Sequence, residues 1–314
     1  MKTVVAVQDL LEVDIKPDEL LDEFVRLTER DVRRVLVPRA TLGIRCPGCD
    51  HGESAAAFDK LGLTYRECRR CGTLFVSPRP PQDAIDEYYR SADASRFWRE
   101  RVVPATVAAR SEKVAMPRAQ WVADGIAEHL PGAAAGVDLS PNAQPFAAAL
   151  RELVPGVRIA ASVPSAAGEA DFAVAFDVLD RCADPRALVA ALHRALRPGG
   201  LLFVVTPSLS GFDLQVMWDR SRTITPPDRM NLFTLRGLRE LFASGWQIRE
   251  ISTPGMFDAE TVRRAILSDP RGDWPRALRA ILIDSGPEVL ADFQEFLQRH
   301  RLSSFGRLTL QKVA

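Results

Sequence analysis

Asp171-Phe172-Ala173-Val174-Ala175-Phe176-Asp177-Val178-Leu179-Asp180 is the stretch that decides the fold, together with Leu196-Arg197-Pro198-Gly199-Gly200-Leu201-Leu202-Phe203-Val204-Val205-Thr206-Pro207 downstream. Both hold short apolar runs without polar alternation, the pattern of strands buried on two faces. Between them, after Ala183-Asp184-Pro185, residues to Leu196 place apolar side chains at i, i+3 and i+4, as a helix packed on one side requires. Strand, helix and strand in that order predict a parallel sheet covered on both faces.

The alternation continues outward. Strands are predicted at Ala134–Asp138, Val157–Ser162, Asp171–Phe176, Leu201–Thr206, Trp246–Ser252 and Arg307–Val313, and helices at Asn142–Leu150, Pro185–Leu196 and Leu235–Ser244. Thr234 is placed to cap the last helix. Residues of about 259–300 read as helices inserted before the final strand. The domain reading is a helical segment at 1–40, a cysteine module at 41–80, a helical bridge at 81–130 and the α/β domain at 131–314.

Cys46-Pro47-Gly48-Cys49 and Cys68-Arg69-Arg70-Cys71 are two CxxC turns separated by 18 residues, enough for a short hairpin with one knuckle at each end. Tetrahedral zinc takes four thiolates, and each CxxC turn brings two sulfurs to one ion. Zinc on Cys46, Cys49, Cys68 and Cys71 is therefore expected, with Gly48 and Gly72 easing the turns. Such a module staples a small fold rather than catalysing a reaction. Ser77-Pro78-Arg79-Pro80-Pro81 reads as a stiff linker. Tyr88, Tyr89, Phe97 and Trp98 beyond it form an aromatic cluster, read as an interface between the ribbon and the main domain rather than a ligand box, and Leu20, Leu21, Phe24, Val25 and Leu27 mark one docking helix near the start.

Lys plus Arg and Asp plus Glu balance at 41 each, so no global field favours nucleic acid or an anionic membrane. A nucleic-acid reading would rest on Arg66, Arg69, Arg70 and Arg79 alone. No apolar run reaches the ~20 residues of a membrane span, and Met1-Lys2-Thr3-Val4-Val5 soon meets acids, unlike a secretory leader. A soluble cytoplasmic protein is the expectation, and four of its five cysteines suit a metal in a reduced compartment. Cys182 is left over. His51, His129, His193 and His300 fall in loop or helix contexts that call for structural roles.

The run from Asp171 to Pro207 resembles class I S-adenosylmethionine (SAM) methyltransferases, matching that family's fourth strand, the following helix and the Pro-Gly-Gly turn into the fifth strand. The order of ribbon, Ser-Pro-Arg-Pro, aromatic helix and core, then Ser210-Gly211-Phe212-Asp213 and Pro226-Pro227 before Asn231-Leu232-Phe233, is similar to a bacterial group of zinc-ribbon methyltransferases acting on sugars or other small metabolites. The resemblance implies a Rossmann-like sheet with SAM across its carboxyl ends. A Gly-x-Gly turn after strand one would meet the methionine moiety, and an acid ending strand two would hold the ribose. Gly136-Val137-Asp138 looks like the end of strand two, which makes Asp138 the ribose acid, with Gly136 and Phe176 lining the pocket. Strand one would then lie between Trp121 and Gly136.

Length opposes that register. Trp121 to Asp138 is 18 residues, whereas a βαβ unit takes ~30. If Ala134–Asp138 is instead strand one, Ser140-Pro141-Asn142 follows it without a glycine and the sheet is one β/α unit short. Either register leaves a degenerate SAM site and puts SAM itself in question as a cofactor. Where the family often has histidines, this chain has Arg181 after Asp180, and Asp228-Arg229-Met230 before Asn231. Arginine stays protonated and is no base. Asp177 and Asp180 are the catalytic candidates that remain. The expectation is a non-catalytic pseudo-methyltransferase, a scaffold or partner subunit for an intact homologue or another pathway enzyme; the alternative is an active methyltransferase with a noncanonical pocket and a small-molecule substrate.

Overall fold

Phe172 to Phe176 and Leu201 to Val205 are fully buried, and the central strands of the sheet form there because only a two-sided core satisfies such runs. The computed structural model describes Val5, residues 10–141 and residues 143–313. Met1 to Val4 of the leader argument, and Asn142, lie outside the described residues. The strands in chain order are β1 (Ser54–Lys60), β2 (Leu63–Cys68), β3 (Leu74–Val76), β4 (Ala135–Asp138), β5 (Arg158–Ala160), β6 (Ala170–Phe176), β7 (Leu196–Pro207), β8 (Asn231–Leu232), β9 (Trp246–Ser252) and β10 (Phe305–Lys312).

The main sheet runs β5-β4-β6-β7-β10-β9. The first four strands are parallel, and β10 lies antiparallel to both β7 and β9. In doubly wound sheets the strand beside strand four is strand one. Gly136 pairs with Phe172 and Asp138 with Val174 in parallel register, so β4 is strand one and β5 is strand two. Asp138 therefore ends strand one, which corrects its reading as the end of strand two. The segment searched for strand one upstream is the helix Met116–His129. Its Gly125 lies against the sheet, where a Cβ would come within 2.7 Å of the Phe203 ring. β5 is the edge strand, and among the described residues no strand pairs with its far side. Residues 161–169 lead straight into β6, so the unit that would build a third parallel strand is missing.

One face of the sheet packs Phe172, Val174, Phe176, Phe203 and Val205 against the helices Met116–His129 and Gln144–Leu153. The other packs Ala173, Ala175, Val204 and Leu308 against Pro185–Ala195 and Leu235–Leu241. Asp184 caps the first of these helices through the Ala187 amide, and Thr234 caps the second through the Gly237 amide. The helices Asp258–Ser268 and Pro287–Arg299 precede β10 and close over Phe212, Val216 and Met217.

The cysteine module is not a separate bead. β1, β2, β3 and β8 form one antiparallel sheet, with Leu74 paired to Leu232 and Phe75 to Asn231. Its inner face shares a core with Leu27 and Leu36 from the first segment, Ile85 and Tyr88 from the bridge, and Leu214 and Ile224 from the main domain. No helix among the described residues is long and apolar enough to cross a membrane.

Candidate functional site

The crevice at the carboxyl ends of β4, β6 and β7 collects most of the side chains singled out above. Asp138 is buried; its Oδ1 accepts from the Ser140 amide at 2.9 Å while Oδ2 has no partner. Burial pushes this carboxyl above its usual range, against the pull of its hydrogen bonds with Ser140. The turn that follows is laced onto β6: the Leu139 amide donates to the Val174 carbonyl at 3.0 Å, and the Phe176 amide donates to Ser140 Oγ at 3.1 Å. Leu139-Ser140-Pro141 thus occupies the place where the resemblance puts the glycine turn. Strand two ends at Ala160, followed by Ala161 and Ser162, where the resemblance puts the ribose acid.

Gly136 stands inside β4, below the crevice. A Cβ there would come within 2.2 Å of the Phe172 ring, so its bare backbone serves packing within the sheet. It also lines a shallow groove of about 290 Å³ along the free edge, with Arg158, Pro164 and Glu169. Phe176 is buried at the end of β6, edge-on to Phe146 at 5.1 Å and stacked with Trp121 at 5.9 Å. Over its outer side lies Arg118, from the first turn of Met116–His129, with its guanidinium 5.0 Å from the ring centroid.

Asp177 adopts a left-handed backbone (φ 55°), rare for a residue with a side chain. Its amide donates to the Val205 carbonyl at 2.8 Å, and its Oδ2 accepts from Arg118 at 3.3 and 3.4 Å. Burial pushes the Asp177 carboxyl up, but Arg118, Arg229 and Arg181 outweigh it and hold the group below its usual range. Asp180 is fully buried and paired with Arg229, with its Oδ1 left without a partner. Desolvation raises it to about 6 despite Arg229 and Arg181, and the Asp177 charge adds to the rise. Arg181 reaches Asp228 at 3.6 Å and lies 5.7 Å from the Tyr89 ring, whose hydroxyl donates to Asp228 at 2.7 Å. Of the two catalytic candidates, Asp177 opens to solvent and Asp180 does not.

Arg79 is a residue that sequence reasoning misplaced. Read as a linker residue and a candidate for nucleic acid, it is buried, donating to the carbonyls of Val76 (3.0 Å) and Ala183 (2.9 Å) and to Asn231 Oδ1 (2.8 Å). The Asn231 amide in turn donates to the Leu179 and Cys182 carbonyls at 2.9 Å each, fixing the loop that carries Asp180 and Arg181. Arg66 is held by Ser54. Of the four arginines weighed for nucleic acid, only Arg69 and Arg70 remain exposed, and Arg70 pairs with Glu240 at 3.1 Å.

The four ribbon cysteines bring their sulfurs within 4.8 Å of one another, with Cys46 to Cys71 and Cys49 to Cys68 both at 3.5 Å. Four soft donors converging at this range fit a metal ion. The Cys46 thiol beside it holds the Cys71 thiol well below its usual range against the effect of burial, and the Thr73 hydroxyl adds to this. In the knuckles, the Asp50 amide donates to the Cys46 carbonyl and the Gly72 amide to the Cys68 carbonyl, both at 2.9 Å. Asp50 (φ 56°) and Gly72 (φ 72°) take the left-handed positions. Gly48 does not; it is bare because a Cβ would come within 3.0 Å of Thr73 Oγ1 and 3.2 Å of the Gly237 carbonyl. The second knuckle docks on the main domain through Thr234 Oγ1, which donates to the Cys71 carbonyl at 2.6 Å, and the first through Arg186, which donates to the Gly48 carbonyl at 3.0 Å.

Residues 117–250 match the family described as a methyltransferase domain. No curated protein matches the chain. Among solved structures, the chain is similar to the plantazolicin methyltransferase BpumL in complex with SAH, at 10% identity over 74% of this chain and 95% of that one, with a TM-score of 0.45. It is also similar to the Burkholderia thailandensis 1,6-didemethyltoxoflavin-N1-methyltransferase with bound 1,6-didemethyltoxoflavin and S-adenosylhomocysteine, at 13% identity over 82% and 99% of the two chains, with a TM-score of 0.42. A shorter likeness joins it to the SAM-bound amino pentose methyltransferase from Micromonospora echinaspora, at 27% identity over 31% and 53%, with a TM-score of 0.24.

Proposed function

Residues 117–250 match a methyltransferase domain, and from that premise we propose that the chain is a non-catalytic member of the class I methyltransferase family, a scaffold or partner subunit in small-molecule or sugar biosynthesis. The closed crevice carries this reading. Ser140 ties the turn after strand one to β6, and Arg118 lies over Phe176 and pairs with Asp177 where a cofactor would have to enter. The absence of an acid after β5 supports it, as do Arg181 and Arg229, each engaged with a neighbouring carboxylate. The partner would be an intact methyltransferase homologue or another enzyme of the same pathway, and the free edge at β5 offers it an unpaired strand.

Zinc belongs to the same proposal. Cys46, Cys49, Cys68 and Cys71 would hold it, and a tetrathiolate ion supplies folding free energy rather than chemistry. The ribbon then keeps Thr73 and Cys71 seated against Thr234 and Gly237.

Calorimetric titration of the metal-loaded protein with SAM and with S-adenosylhomocysteine tests the reading. No heat and no thermal shift at millimolar ligand is expected; micromolar binding of either would sink it. One observation favours the second reading, an active methyltransferase with a noncanonical pocket. Asp138 Oδ2, Asp180 Oδ1, Thr206 Oγ1, Arg181 Nε and Arg229 Nε are buried without partners around the crevice, and buried polar atoms rarely lack one unless water or a ligand supplies it. In that case Asp177 and Asp180 would stand near the transfer site, with Asp177 the one open to solvent.

A further inference from the structure

We propose that Arg118 is a built-in occupant of a cation niche, formed by the faces of Phe176 and Phe305 and the carboxylate of Asp177, and that moving it out opens the niche to a free organic cation of the quaternary-ammonium class. This rests on the reading above that the crevice is closed as it stands.

The niche has the components of a cation cage. The Arg118 guanidinium lies 5.0 Å from the Phe176 centroid and 5.5 Å from that of Phe305, both within the range where a ring face attracts a cation. The two rings come from the carboxyl end of β6 and the start of β10, on the face of the sheet beneath Met116–His129. Asp177 closes the charge side at 3.3 Å. Behind it, Asp138 Oδ2 is buried with no hydrogen-bond partner, and Arg118 acts on that carboxyl through its charge alone. Arg110 stands near on the same side, held by the Ile15 carbonyl and Thr106 Oγ1, while Arg181 and Arg229 act on Asp177 from beyond. The side chains of Arg118 and Asp177 keep 21% and 27% of their surface, so the niche is reachable from solvent.

A tethered cation has a large advantage over a free one. Holding the guanidinium on the same chain gives it an effective concentration of at least millimolar order, so a free cation of similar intrinsic affinity is excluded from the wild-type protein at ordinary concentrations. Removing the charge while keeping the apolar stem removes that competitor and leaves the rings and the carboxylate behind.

Choline and its uncharged carbon isostere are the probes, titrated calorimetrically into wild type, Arg118→Met and Arg118→Lys in the full, metal-loaded chain. Choline is expected to bind Arg118→Met at least ~10-fold more tightly than wild type, with Arg118→Lys behaving as wild type and the isostere gaining nothing. Adding Phe305→Leu to Arg118→Met is expected to take most of the gain away. Equal choline affinity in wild type and folded Arg118→Met overturns the proposal. So does an equal gain for the isostere, which marks a plain apolar void. Should Arg118→Met fail to fold, Arg118→Gln carries the same titration. Micromolar SAM binding to wild type overturns the functional reading; if choline competes with that SAM in wild type, the niche proposal falls with it, and if choline binds only Arg118→Met, the niche proposal stands.

Discussion

Asp213 and Asp258 place two carboxyl groups side by side under the inserted helices, both nearly inaccessible. Asp258 is well served: its Oδ2 accepts from Ser303 Oγ at 2.5 Å and Gln294 Nε2 at 3.0 Å, and its Oδ1 from the Ser304 amide at 2.6 Å. Asp213 is supported by Ser304 and the Leu214 amide, but its Oδ1 has no partner. Burial, then the charge of Asp258, push the Asp213 carboxyl well above its ordinary value. An acid raised in the folded state contributes stability that is complete below its unfolded value of 3.8 and lost as the pH climbs towards the folded value. Asp213→Asn removes the titration and keeps a donor facing Asp258. We expect it to stabilise the protein by about 1 kcal/mol at pH 8, with a smaller gain at pH 5, as read by urea denaturation. A gain equal at both pH values would refute this account.

Cys46, Cys49, Cys68 and Cys71 were legible as an element because two CxxC turns and one hairpin lie within a short stretch of chain, and their sulfurs do converge. We expect one zinc per chain in protein purified under reducing conditions, and Cys71→Ser to lose it; metal analysis finding none would end the reading. The strands of the main sheet were legible for the same local reason, being continuous apolar runs. What the sequence hid was which strand lies beside which. Ala135–Asp138 is recognised as strand one only by its pairing with Ala170–Phe176, a fact of tertiary contact that no periodicity encodes. Arg118 was equally hidden, as one arginine among many in a helical stretch whose partner Asp177 stands 59 positions away. Arg79 looked like linker because its neighbours are prolines, while Asn231, which explains it, is 152 positions distant. Ser140-Pro141 was visible as a turn without glycine, but only in one of the two registers the sequence allowed.

At the scale of the molecule, the cysteine module and the α/β domain share one core and one strand pair. Leu36, Tyr65, Ile85, Leu214 and Leu232 belong to the same buried cluster, although they come from the first segment, the ribbon, the bridge and the main domain. Loss of the metal should therefore spread. Hydrogen exchange on chelator-treated protein is expected to show protection falling together at Leu74–Val76 and Asn231–Leu232, while Phe172–Phe176 and Leu201–Val205 stay protected. Protection lost in the ribbon but unchanged at Asn231–Leu232 would mark the ribbon as autonomous and contradict the shared core. The pairing of Leu74 and Phe75 with Leu232 and Asn231 also bears on how the chain is made. Thr234, whose hydroxyl seats the second knuckle, lies 163 positions after Cys71. At a ribosomal pace of ~5–20 residues per second, the knuckle emerges roughly 8–30 s before its seat exists. Through that interval the nascent ribbon carries an unpaired edge and a half-open apolar face, the surface that early capture of the proposed metal would shield while the rest of the core is still being translated.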